Sequence, residues 1–450
     1  MPRRGKGSRR PRKTDAPPAL RPRRKRRGPR KTEDTPVEYG ILLTATMILF
    51  ALGAVMVFSA SSTRTILDDG GLADSASYFR MTLIAGAIGF VALAWASRTT
   101  LDRIRSITPA FVGITFFLLL VVLVAGREVN GTTGWLVAGP VTIQPAEFLK
   151  PAVILYGAYL FADRPERVES IRDMAPYLGL VGMGALLVVI QPDFGSAIIV
   201  VGAGLITLFV AGARMREIGL IVAPVAVLGL LVTLISPERS ERILTFLNPG
   251  ADPSGAGYQV LQAEIAIGSG GIGGVGVGNS IQKALYLPEA HTDMILAVIG
   301  EELGLIGITV LIAVFGAFAF AGFRIAREAS DSYGRILAGA LTGLVVAQAA
   351  LNMYAVMGMA PLTGVPLPLV SYGNNSLILT LLAVGLMLNV AKGGALSRRP
   401  RKAGEPGAKL RVIEGDGERT NELGARIRRA PRPDRGRRHG RARRARPGRG

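Results

Sequence analysis

Residues 40–61 read Gly-Ile-Leu-Leu-Thr-Ala-Thr-Met-Ile-Leu-Phe-Ala-Leu-Gly-Ala-Val-Met-Val-Phe-Ser-Ala-Ser, an apolar run without a single charge. A helix of about 20 such residues spans the hydrocarbon core of a bilayer. The same signature returns at 80–97, 107–126, 145–162, 175–191, 195–213, 217–236, 303–323, 335–357 and 374–391. The chain is therefore predicted to be an all-α polytopic membrane protein with about ten transmembrane helices. Its composition agrees. Of its 450 residues 49% are hydrophobic and 19% charged, with a mean hydropathy of +0.37, where a soluble chain carries about 25% charge. An ordinary soluble enzyme is excluded. The absence of cysteine removes disulfides, thiol nucleophiles and cysteine metal sites, and His291 and His439 alone do not make a multi-histidine centre.

The net charge of +21 resides at the ends. Residues 1–38 carry 15 Lys/Arg against 4 acids and residues 392–450 carry 20 against 6, so the apolar body between them is slightly acidic. The first 38 residues are too long and too rich in Arg and Pro for a secretory signal. Both tails, 1–38 and 393–450, lack apolar periodicity and are expected to be disordered. Arg-rich tails can bind nucleic acid; the reading adopted here is a solvated tail near anionic lipid, with no nucleic-acid partner. If the N-tail is cytoplasmic, the inner connections between spans hold eleven Arg and the outer ones six Lys/Arg over a greater length. That bias, and an even number of spans, put both termini in the cytoplasm.

One connection, about 237–302, is far longer than the others and falls on the outer face. Compact architectures use long loops for function. Residues 259–267, Gln-Val-Leu-Gln-Ala-Glu-Ile-Ala-Ile, read as a short amphipathic helix on or in the membrane surface. The glycine-dense stretch Gly268–Gly278 lacks the Lys-Ser/Thr ending of a phosphate loop and reads as tight turns and close backbone packing, with a substrate-facing nest as the weaker alternative.

Three titratable clusters fall at the outer ends of spans. Ionisable groups at a membrane are costly and mark candidate sites. The first is Leu287-Pro288-Glu289-Ala290-His291-Thr292-Asp293 with Glu301-Glu302 close behind. The second is Gln144-Pro145-Ala146-Glu147-Phe148-Leu149-Lys150, where Glu147 and Lys150 share a helix face as either a structural ion pair or a working one. The third is Gln191-Pro192-Asp193-Phe194-Gly195, whose Asp193 either serves the site or caps the span that follows. Their convergence predicts one extracytoplasmic polar cavity.

These residues, with Ser59-Ala60-Ser61, Asn130-Gly131 ahead of Trp135, Phe246-Leu247-Asn248-Pro249, Gly257-Tyr258-Gln259, Ile265–Gly271, Gly278–Lys283, Gly300–Gly304 and Leu367-Pro368 with Ser371-Tyr372-Gly373, resemble the SEDS family (shape, elongation, division and sporulation) over nearly all of residues 38–392. Pro-Glu-Ala-His-Thr-Asp, rather than Pro-Glu-Arg-His-Thr-Asp, is similar to the division and sporulation branch more than to the elongation branch. The resemblance implies a SEDS fold and a peptidoglycan glycosyltransferase of the bacterial inner membrane. Such an enzyme polymerises lipid II at the division septum beside a class B penicillin-binding protein and other divisome proteins. The rival readings are a lipid II flippase, an elongation-type paralogue and a non-catalytic scaffold. An α-linked donor giving a β-1,4 glycan inverts at the anomeric carbon, which requires a base for the acceptor hydroxyl and positive charge for the departing diphosphate.

In the family the Asp of the His-Thr-Asp motif is the catalytic candidate, which falls on Asp293. The substrate-binding candidates are Glu147, Lys150, Arg242, Lys283, Gln191, Asp193, Glu289, His291, Glu302 and Ser371, with Lys150, Arg242 and Lys283 as the cations for the diphosphate. A divalent cation, Mg or Mn, would share that work, but no motif fixes its ligands. Two departures stand out. Gly134 precedes Trp135 where the family commonly has Arg, so that charge is absent or comes from Arg127, and Asn374-Asn375 replace a Gly-Ser pair.

Overall fold

The computed structural model describes residues 36–68 and 76–393, apart from residues 130, 140, 236 and 256; nearly all of both basic tails lies outside the described residues. The helices are α1 (Val37–Asp68), α2 (Ser77–Arg98), α3 (Leu101–Ala125), α4 (Pro145–Phe161), α5 (Ile171–Ile190), α6 (Phe194–Ala211), α7 (Met215–Ile235), α8 (Pro237–Leu247), α9 (Tyr258–Gly270), α10 (Gln282–Leu285), α11 (Ile295–Glu328), α12 (Ser332–Val356) and α13 (Asn374–Ala391). Among the described residues nine of these are long and apolar enough to cross a membrane. The tenth expected span is α4, a 17-residue helix that is largely buried within the bundle. Helices are what lipid demands, since backbone polar groups there have no water to bond. Their starts follow from sequence: Thr100, Ser170, Asp193 and Asp331 each accept a hydrogen bond from a backbone N–H of the first turn.

The core runs through α4, α12 and α13, whose Leu149, Ile154, Leu337, Leu341, Leu381 and Met387 are fully buried. By contrast α7 leaves Leu220, Leu228, Leu230 and Leu234 exposed, as lipid-facing residues would be. At one end of the bundle the connections are short. Arg105 bonds Asp163, Arg214 lies 3.2 Å from Glu169, and Arg324 lies 3.2 Å from Glu38. At the other end lie the long connections, including a three-stranded antiparallel sheet of β1 (Arg127–Val129), β2 (Thr132–Ala138) and β3 (Val141–Ile143) between α3 and α4. The sequence reading contained no strand here. Arg127 stands directly across from Trp135 in the β1–β2 register.

The helix expected at 259–267 occupies Tyr258–Gly270 and buries Val260, Ala263, Ala266 and Gly270. It packs so closely on α11 that a methyl group at Gly270 would lie 2.0 Å from the Gly300 carbonyl oxygen. The eighth span, expected at 303–323, starts earlier: α11 begins at Ile295 and contains Glu301 and Glu302. It is broken at Gly304, whose φ of 65° and ψ of −164° are non-helical. The glycine-dense segment repairs the break. Val275 and Gly276 donate to the carbonyls of Glu301 and Glu302 at 2.9 and 3.0 Å, and Leu305 and Ile306 donate to those of Gly271 and Ile272 at 2.9 and 3.2 Å. A side chain at Gly304 would meet the Gly274 nitrogen at 2.4 Å, and one at Gly274 would meet the Glu302 oxygen at 2.1 Å. Close backbone packing is thus the work of these glycines. Non-helical backbone in a spanning helix is tolerated where such partners re-satisfy it.

Candidate active site

The Glu289–Asp293 segment enters α11 through a turn in which Glu289 has φ 52°, a conformation unfavourable for a side chain of its size. The turn points two carboxylates at one hydroxyl. Thr292 Oγ1 lies 2.8 Å from Glu289 Oε2, 3.0 Å from the Glu289 carbonyl oxygen and 3.3 Å from Asp293 Oδ1. A hydroxyl has one proton to donate, so it cannot satisfy all three acceptors at once. Burial, and then the Glu289 charge, push Asp293 up to about 6, opposed by the bond from Thr292 and by the positive field of Arg242 on α8. Asp293 thus binds its proton more tightly than an exposed aspartate does, the direction that general-base chemistry favours.

The backbone around Asp293 is held from several sides. Asn352, buried in α12, donates from Nδ2 to the Asp293 carbonyl at 2.8 Å and to the Val365 carbonyl at 2.9 Å. Tyr372 donates its N–H to the His291 carbonyl at 2.9 Å. The His291 ring is buried between Tyr78 and Tyr372, with centroids 4.6 and 5.6 Å away. Ser371 is buried and accepts from the Leu367 N–H at 2.8 Å, so it shapes the 365–372 loop. Where that loop meets α12 and α11, Asp293, Asn352, Leu362, Thr363 and Val365 line a cleft too tight to admit a water molecule.

The other clusters approach the same end of the bundle. Asp193 caps α6 by accepting from the Ser196 N–H at 3.0 Å, and its second oxygen accepts from Gln144 at 2.9 Å, so capping and a link between clusters coexist. A methyl group at Gly195 would lie 2.2 Å from the Thr363 carbonyl oxygen, which brings this turn against the loop lining the cleft. Gln191 is fully buried and donates to the Leu119 carbonyl at 3.3 Å. Its Oε1 faces Gly134: a methyl group there would sit 3.3 Å away.

Two groups expected to offer charge to a substrate are instead neutralised internally. Lys150 Nζ lies 2.6 Å from Glu147 Oε1, with both side chains buried in the first two turns of α4. Lys283 Nζ lies 2.6 Å from Glu302 Oε1 and 2.8 Å from Ser59 Oγ, while Ser59 donates to Glu302 at 2.7 Å; all three are buried. Glu301 accepts from Ser280 and from the Ile281 N–H, the latter at 2.9 Å, and so anchors the segment entering α10. Of the three cations expected for the diphosphate, Arg242 is the exposed one. Among the described residues no group of three or more His, Asp or Glu is placed to hold a metal ion. Sequence reasoning missed Asn352 and Tyr78. The signal for Asn352 was available: with Gln348 it puts amides at i and i+4 inside an apolar span, where polar groups are costly.

Comparison with known proteins adds to this geometry. Residues 40–394 match the family model FtsW/RodA/SpoVE, described as cell cycle protein. Stage V sporulation protein E of Bacillus subtilis is 36% identical over 78% of this chain and 96% of its own length. A probable peptidoglycan glycosyltransferase FtsW of Alkalilimnicola ehrlichii is 39% identical over 81% of this chain and 92% of its own. A chain from a solved peptidoglycan synthase complex, studied for its coordination of polymerization and crosslinking, superposes with a TM-score of 0.65 at 27% identity, covering 78% of this chain and 97% of that one.

Proposed function

This multi-pass membrane protein belongs to the FtsW/RodA/SpoVE family of cell cycle proteins, the SEDS family, and on that premise we propose that it is an inverting peptidoglycan glycosyltransferase that polymerises lipid II for septal wall synthesis. The observation that carries the reading is the geometry at Asp293: its carboxyl and that of Glu289 share the Thr292 hydroxyl at the loop-rich end of the bundle, with an exposed arginine, Arg242, within its field. In the proposed reaction the acceptor sugar's hydroxyl sits against Asp293, which takes its proton as the oxygen attacks the anomeric carbon of the polyprenyl-linked donor. The bond to the diphosphate breaks on the opposite face, and Arg242 neutralises the charge that develops there. Thr292 keeps the ionised carboxylate solvated by one hydrogen bond until the substrate replaces it. The loop-rich end of the bundle is the extracytoplasmic one, residues 39–392 form the membrane domain, and the two basic tails lie in the cytoplasm. The partner in this reading is a class B penicillin-binding protein of the division machinery. Division is favoured over elongation by Glu289-Ala290-His291 and by the FtsW and sporulation relatives. Carriage of lipid II across the membrane would call for polar groups near the bilayer midplane, whereas Asp293 precedes α11 and Glu147 and Lys150 lie at the start of α4.

The test is polymerisation of lipid II by the purified full chain in proteoliposomes, with and without its cognate class B protein. Glycan strands are expected from wild type, and Asp293→Asn should lower the rate by about 10²–10⁴-fold, the usual worth of a general base, while leaving insertion and thermal stability intact. A cap would be served equally well by Asn, so wild-type polymerisation by Asp293→Asn would reject the base assignment.

A further inference from the structure

The short helix α8 leaves an apolar face open. Leu244 and Leu247, one turn apart, are 65% and 70% exposed, and Ile243 beside them is half-buried. Arg242 lies two and five residues from these leucines, which on a helix puts it on the opposite side, where it is exposed. The place of α8 decides what covers the leucines. Its predecessor α7 has 21 residues, about 31 Å at 1.5 Å per residue, and so uses its whole length to cross a hydrocarbon core of about 30 Å. A single residue, 236, separates the two helices, so α8 starts at the boundary where α7 leaves the lipid. An amphipathic helix at that depth lies in the interface with its apolar side among the acyl chains. Its 11 residues hold two Glu and two Arg, so apolar area, rather than attraction to anionic lipid, keeps it there. Arg242 is also close enough for its charge to act on the Asp293 carboxyl, which ties the helix to the candidate site. We propose that α8 is an interfacial anchor: Leu244 and Leu247 sit in the outer leaflet and thereby hold Arg242 at the level of the lipid phosphates, facing the diphosphate of a polyprenyl-linked substrate. The anchoring stands on the placement of α7 and α8; the task given to Arg242 rests on the glycosyltransferase reading above.

The chain contains no cysteine, so single cysteines can be spin-labelled in the full chain reconstituted into phosphatidylcholine vesicles. Labels at Leu244→Cys and Leu247→Cys should collide with lipid-soluble oxygen more than with an aqueous nickel chelate. A label at Ser254→Cys, in the exposed turn that follows, should do the reverse. Labels at 244 and 247 as open to nickel as the one at 254 would overturn the anchor. So would labels shielded from both reagents, the pattern of a face covered by protein, or lipid contact that needs added phosphatidylglycerol, the pattern of an electrostatic attachment. The link to Arg242 is read from kinetics. Leu244→Gln with Leu247→Gln should lower kcat/KM for lipid II by about tenfold, the value of one weak charge-assisted hydrogen bond. Thermal stability should stay unchanged, because both side chains are exposed, and Leu244→Met with Leu247→Met should behave as wild type. Added to Arg242→Gln, the glutamine pair should lower activity no further, since it acts through that residue. Full additivity, or a loss in step with melting temperature, overturns the positioning role. A wild-type chain that polymerises no lipid II overturns the glycosyltransferase reading and with it the task of Arg242, while the depth profile still decides the anchor.

Discussion

At the scale of single residues, the crowding of Glu289, Thr292 and Asp293 is a setting for proton chemistry, and it has a direction in pH. The carboxyl must be ionised to act as a base, so kcat/KM should rise through about pH 6. Glu289 contributes to the upward shift by repulsion. Glu289→Gln should therefore move this acid limb to lower pH; a limb that stays in place or moves up would show that Asp293 is not the titrating group. The Glu147–Lys150 pair behaves differently. Because both members are buried, Lys150→Ala should leave a carboxylate without a counter-charge and cost about 3–5 kcal/mol, whereas Glu147→Gln with Lys150→Met should restore most of the loss. Thermal unfolding in detergent distinguishes the cases, and a double variant as unstable as the single one would argue that the pair does more than neutralise itself. Asp293 was legible in the sequence because a motif carried it. The burial of Lys283 was not: that lysine is paired with Glu302 and with a serine 224 positions earlier, a distance that no local pattern encodes.

At the scale of elements, the apolar runs were easy to read because lipid imposes one solution on any long uncharged segment. The boundaries that failed were those where packing overrode composition. Glu301 and Glu302 look like loop residues by charge, yet they sit in α11 because Ser59, Ser280 and Lys283 receive them. The short sheet escaped notice because its strands are only 3, 7 and 3 residues long, too short for an alternating pattern to stand out beside the apolar runs. The glycine segment was read as close packing, but its partner, the break at Gly304, could not be seen without the fold. Gly304→Ala forces a side chain into a left-handed residue and against Gly274, and should destabilise by at least about 1–2 kcal/mol. Gly273→Ala meets nothing within 4 Å and serves as the control. Equal melting temperatures for the two would refute the backbone seal.

At the scale of the whole molecule, the two ends of the bundle differ in kind: one is short, ion-paired and closed, the other long-looped and bearing the candidate site. The charge bias in the sequence predicts that the second end faces the outside. A reporter placed within residues 251–257 should accordingly be exposed outside the cytoplasm and one at residue 330 within it; the reverse result would put the candidate site on the wrong side for a wall polymer. The buried contact of Glu302 with Ser59 and Lys283 also bears on how the protein is made. The apolar stretch of α11 enters the membrane with two glutamates at its leading end, an expensive cargo for the insertion machinery. The hydroxyl that receives one of them belongs to α1, 243 positions earlier, and the ammonium to the segment translated just before α11. Insertion of α11 is therefore expected to depend on α1 already being in place, so that the two halves expressed as separate polypeptides should assemble only when the first is already in the bilayer.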